Sequence, residues 1–111
     1  MAGLNLLSDL DGRKIAVLGD MLELGAHSDH YHKETGELAG ASDLDLLICV
    51  GKKAQLIASS AKAAGMEGPR IVTYPDAAAA ARGFVKRVRG GDLILLKGSR
   101  GVGLEAVARA I

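Results

Sequence analysis

The sequence predicts an α/β fold, a Rossmann-like three-layer sandwich with a mostly parallel sheet of about four strands flanked by helices. Two observations carry that prediction. Short apolar runs, set off by glycine or proline, alternate with stretches whose apolar residues recur at helical spacing. The runs are continuous rather than alternating, which suits strands covered on both faces. Strands separated by helices imply parallel pairing with right-handed crossovers.

The elements follow in order. Leu4, Leu7 and Leu10 share one helical face, and Asp11 and Gly12 make a turn. Residues 14–18 read as the first buried strand, followed by a glycine-bounded loop over 19–25. Ser28 or Asp29 can cap a helix running to about Gly40, with Tyr31, Thr35, Leu38 and Ala39 inward. Residues 46–50 form the second strand, and Gly51 turns the chain into a helix over 53–64 whose inward stripe is Ala54, Ile57, Ala58 and Ala61. Gly65 ends that helix in a left-handed cap. The third strand is 71–74, and Pro75 and Asp76 open a helix through Val88. Its run of alanines favours helix and lets it pack close to a sheet. Residues 93–96 are the fourth strand, and Leu104, Val107, Ala108 and Ile111 stripe a last helix. The simplest strand order is 3-2-1-4.

The 111 residues suffice for one domain with a single core. Formal net charge is +1 with both signs interspersed, which argues against electrostatically driven nucleic-acid binding. Tyr31, Tyr74 and Phe84 lie far apart and offer no base-stacking platform. The single cysteine, Cys49, excludes an internal disulfide framework and reads as a small core residue. No basic start or cleavage site opens the chain, and no apolar run approaches the ~20 residues that span a membrane. The expectation is a cytoplasmic protein without membrane contact.

The chemistry gathers at two loops. The stretch GDLILLKGSRGVG over 91–103 runs a buried strand into two cations and a hydroxyl among glycines, then into a helix. Backbone N–H groups and a helix N-terminus at such a turn suit an anion. Ligands of open α/β sheets bind beyond the carboxyl ends of the strands where strand order reverses. The 3-2-1-4 order would bring 97–103 against 19–28 there. Lys97 and Arg100 read either as solvated cations or as a grip on a carboxylate or phosphate, Arg100 through a two-pronged contact. Ser99 reads as a helix cap or a ligand contact. Asp20 and Glu23 are exposed carboxylates or partners for an ammonium or a metal-bound water. His27, His30 and His32 lack a clean metal spacing, so no metal site is expected. Phosphate-loop and dinucleotide motifs are missing: around 97 the lysine and glycine stand in the wrong order, and the first turn has only Gly19 and Gly25.

Two longer motifs narrow these alternatives. RKIAVLGDMLELG over 13–25, followed by Ser28, His32 and Gly36, resembles the start of the C-terminal domain of the Mur ligases. The match is to the branch that adds D-Ala-D-Ala. GDLILLKGSRG over 91–101, followed by Leu104 and Glu105, is similar to that domain's last strand and turn, and the resemblance spans essentially the whole chain. It implies a three-domain bacterial enzyme of peptidoglycan precursor synthesis. The first domain holds UDP-N-acetylmuramoyl-tripeptide, the central one ATP and Mg2+, and the last the acceptor dipeptide. ATP phosphorylates the tripeptide carboxylate, and the acceptor amine attacks the acyl phosphate.

Carried over by position, Ser99 and Arg100 would bind the acceptor carboxylate with Lys97 in support. Asp20 and Glu23 would lie near the amine or the nucleotide edge, and His32 would orient its loop. The family's domain begins upstream of Met1 with a further strand, so residues 1–111 are expected to be one domain excised from the larger enzyme and inactive alone. One rival is a stand-alone regulatory module that binds a nucleotide or anion. Another is a receiver-like domain, which needs an aspartate closing a central strand, where this chain has Tyr74 and Pro75 before Asp76.

Overall fold

Four short runs of Val, Ile and Leu make the centre of the protein, a parallel sheet of order β3-β2-β1-β4. The computed structural model describes residues 12–21, 26–84, 86, 87, 89, 90 and 92–98. Along the chain stand β1 (Lys14–Gly19), α1 (Ser28–Ala41), β2 (Leu46–Val50), α2 (Ala54–Ala63), a 3-10 turn (Gly68–Arg70), β3 (Ile71–Tyr74), α3 (Ala77–Phe84) and β4 (Leu93–Lys97). The expected first and last helices lie outside the described residues.

Strand side chains alternate between faces, and each face has its own core. Ala16, Leu18, Leu47 and Cys49 pack with Ala39 of α1 and Ala54, Ile57 and Ala61 of α2. Ile15, Val17, Leu46, Ile48 and Val50 pack with Ala77, Ala80 and Phe84 of α3. The result is three layers, as expected. Burial pushes the Cys49 thiol up to about 12, so it stays an unreactive core residue. No described helix is long and apolar enough to cross a membrane.

Local signals account for most of the boundaries. Gly65 has φ +110°, and beside it the Met66 amide donates to the Ala61 carbonyl at 3.0 Å, closing α2 as expected. Asp76 caps α3 by accepting the Ala79 amide on Oδ1 at 2.8 Å. Asp76→Ala should cost about 1 kcal/mol, read as a lower urea midpoint at unchanged slope.

Three expectations need correction. In α1 the buried residues are Ser28, His32, Thr35, Gly36 and Ala39, while Leu38 is 39% exposed. Gly36 and Gly40 let the backbone of α2 come close, and that approach rather than leucine burial sets the inward face. Neither Ser28 nor Asp29 caps α1: Ser28 is its first residue, His27 at the cap position makes no side-chain bond, and Asp29 pairs with Lys53 at 2.9 Å. α3 stops at Phe84, short of Val88, with Gly83 in its last turn and a turn at Lys86 and Arg87.

At the amino ends of the strands, Arg13 grips Asp92 with two bonds, Nε to Oδ1 at 3.0 Å and Nη2 to Oδ2 at 2.8 Å. It also donates to the Arg87 carbonyl. The Arg13 hydrogen bond, with help from the Arg89 amide, holds the Asp92 carboxyl below its ordinary 3.8 despite opposing desolvation. A carboxyl depressed in the folded state contributes stability above its unfolded value and loses it as pH falls through the depressed one. The urea midpoints of wild type and Asp92→Asn should therefore differ at neutral pH and converge in acid below that range.

Candidate functional site

Strand order reverses between β1 and β4, and the chain leaves the carboxyl ends of both strands there. Lys97, the last residue of β4, pairs with Leu18, one residue before β1 ends at Gly19. Beyond these ends lies a small half-open crevice lined by Leu18, Gly19, Met21, Tyr31, Thr35, Ile57 and Lys97. It combines apolar walls with two hydroxyl-bearing side chains and one cation. Lys97 is exposed, and among the described residues no carboxylate pairs with it.

Asp20 is next to the crevice but does not line it. Its side chain is directed at the start of α2. Oδ1 accepts the Ala54 amide at 2.6 Å, and the Asp20 amide donates to the Val50 carbonyl at 3.2 Å. The residue is only 8% exposed.

His32 is fully buried on α1 and reaches back to the same loop. The Met21 amide donates to Nε2 at 3.1 Å, which requires a lone pair there and puts the ring proton on Nδ1. Nδ1–H then donates to the Ser28 carbonyl at 2.5 Å. Tyr31 stands edge-on to this ring, with centroids 5.6 Å apart.

The structure thus brings Lys97 to the loop that carries Asp20 and sets His32 behind that loop. Glu23, Ser99 and Arg100 lie outside the described residues. Sequence reasoning assigned Tyr31 and Thr35 to the core and missed their place in the crevice. One signal was available: both hydroxyl-bearing side chains stand on the stripe facing the strand ends. Among the described residues no three His, Cys, Asp or Glu side chains gather to hold a metal. Among the described residues the crevice encloses room for about one water molecule.

Comparison with known proteins gives a consistent picture. The Mur ligase, glutamate ligase domain family matches residues 1–100. The chain is 34% identical over 110 residues to the UDP-N-acetylmuramoyl-tripeptide–D-alanyl-D-alanine ligase of Bacillus subtilis, covering 97% of this chain and 24% of that protein. It is 33% identical over 113 residues to the enzyme of the same name from Escherichia coli, covering 99% and 23%. Among solved structures it resembles MurF from Acinetobacter baumannii (TM-score 0.80, 26% identity, 97% of this chain and 24% of that one). It also resembles the MurF ligase of Thermotoga maritima in complex with ADP (TM-score 0.73, 30% identity, 96% and 23%). The chain spans about a quarter of the length of these relatives.

Proposed function

The chain belongs to the Mur ligase family, and on that premise we propose that it is the acceptor-binding C-terminal domain of a UDP-N-acetylmuramoyl-tripeptide–D-alanyl-D-alanine ligase. The ligase would join D-Ala-D-Ala to the tripeptide in peptidoglycan precursor synthesis, in the bacterial cytoplasm. In the proposed reaction the tripeptide carboxylate takes the γ-phosphoryl group of ATP, releasing ADP and leaving an acyl phosphate. The dipeptide amine attacks the acyl carbon, the C–O bond to phosphate breaks, and the amine gives up a proton as the amide forms. ATP and Mg2+ would be held by a central domain outside these 111 residues, as the family resemblance implies. No step is assigned to them on this chain.

This domain's share of catalysis would be positioning. Holding the acceptor amine against the acyl carbon replaces a bimolecular encounter by a local one. Ser99 and Arg100 would hold the dipeptide carboxylate, with Lys97 supplying further positive charge. Glu23 would stand on the side of the amine, and His32 would keep the first loop in place. The observation that carries this reading is the crevice at the strand-order reversal, where Lys97 faces the loop after β1. A cation at the end of a strand, facing that loop, suits the carboxylate of the dipeptide.

The test is ligation by the full-length protein. ADP release should require UDP-N-acetylmuramoyl-tripeptide and ATP, and should rise to saturation with added D-Ala-D-Ala. Release that ignores the dipeptide would contradict the proposal.

A further inference from the structure

We infer that Asp20 is a positioning residue of the acceptor site, holding the first loop from behind without touching the dipeptide. The inference rests on the acceptor-binding reading above and specifies how that site is built. Asp20 follows directly on β1, at the position where an amine-binding carboxylate would be sought. Its geometry serves a different partner. Ala54 is the first residue of α2, and the first amides of a helix have no carbonyl within the helix to donate to. Lys53, at the cap position, offers no side-chain acceptor to the helix start, so Asp20 supplies the missing one from 34 residues away. A carboxylate is favoured there by the helix dipole.

The neighbour opposite is shaped to admit it. Gly51 has φ +111°, and a Cβ at that position would lie 2.6 Å from both Cγ and Oδ1 of Asp20. Only glycine leaves room for the carboxylate and adopts this backbone conformation without strain. The residue after Asp20 is tied as firmly on the other side, through the Met21 amide and His32. Two consecutive residues are therefore fastened to two different helices, Asp20 to α2 and Met21 to α1. Met21 forms the crevice wall beside Lys97. The clamp fixes that wall relative to the cation that would meet the carboxylate.

The experiment compares Asp20→Asn with Asp20→Ala in the full-length ligase. Asparagine keeps a carbonyl oxygen for the Ala54 amide, and alanine removes it. The expected result is a D-Ala-D-Ala KM near wild type for Asn and raised about tenfold for Ala, with the KM for ATP unchanged in both. Equal damage from Asn and Ala would mean that the charge itself meets the amine, and would overturn the inference. So would an Ala variant that melts earlier but keeps its KM for the dipeptide. Should Asp20→Ala fail to fold, Gly51→Ala displaces the same carboxylate from the other side and should raise the same KM; an unchanged KM there overturns the inference as well. Hydrogen exchange at the Met21 amide reads the clamp whatever the loop binds: it should quicken in Asp20→Ala and not in Asp20→Asn. Quickened exchange in a protein that ignores D-Ala-D-Ala would locate the failure in the acceptor reading, whereas unchanged exchange would locate it in the clamp.

Discussion

Replacing Gly36 by valine should destabilise the fold by about 3 kcal/mol, at the upper end of what overpacking a core costs. A Cβ on Gly36 would lie 2.4 Å from the Ile57 carbonyl oxygen and 2.6 Å from the Ser60 Cβ. One turn on, a Cβ on Gly40 would meet the Ala61 carbonyl at 2.7 Å. These obstacles are largely helix backbone, which cannot swing aside as the tip of a side chain can. α1 would have to lift from α2, opening the core around Ala39, Ile57 and Ala61. Gly36→Ala makes the sharper comparison. On helix propensity alone it should stabilise by about 1 kcal/mol, but the collision should reverse the sign. Urea unfolding of both variants measures this, with a substitution at exposed Glu37 as the reference. A more stable Gly36→Ala would show that the two helices do not meet as described.

The second large effect concerns the proposed acceptor. Arg100→Ala in the full-length ligase should raise the KM for D-Ala-D-Ala roughly 30-fold, the equivalent of about 2 kcal/mol from one lost charge-assisted contact. The KM for ATP should move less than about twofold, because the nucleotide would be bound elsewhere. Lys97→Ala should move the same constant in the same direction but less far, since an ammonium on a strand end acts as a point charge without the paired geometry of a guanidinium. Equal rises for dipeptide and ATP would instead indicate a general loss of folded enzyme or of domain closure.

Much of the fold was legible because its signals are local. Leu46–Val50 has no polar residue, so it could be placed in the sheet interior without knowing its neighbours. Gly65 announced the end of α2, and strand order followed from connection rules. The inward face of α1 was not legible, because it depends on how closely α2 can approach Gly36 and Gly40. Periodicity counts hydrophobic side chains and gives no weight to a glycine stripe, so Leu38 was turned inward. The candidate site divides in the same way. Lys97 and the loop after β1 could be brought together from topology alone. The bond from Asp20 to the Ala54 amide could not, since it joins residues 34 apart through a helix end that lacks its own cap. His32 could be linked to the loop by resemblance, but its ring proton could be assigned only once Met21 and Ser28 were seen on opposite nitrogens.

The most direct test of the carboxylate clamp pairs the enzyme's cation with the substrate's anion. Ligation would be measured with D-Ala-D-Ala and with its C-terminal amide, which keeps the attacking amine and loses the carboxylate charge, in wild type and Arg100→Ala. The account predicts that wild type prefers the free acid by roughly 30-fold in kcat/KM and that Arg100→Ala loses most of that preference, because the lost charge and the lost guanidinium report one contact. A preference that survives intact in Arg100→Ala, or is absent from wild type, would contradict it.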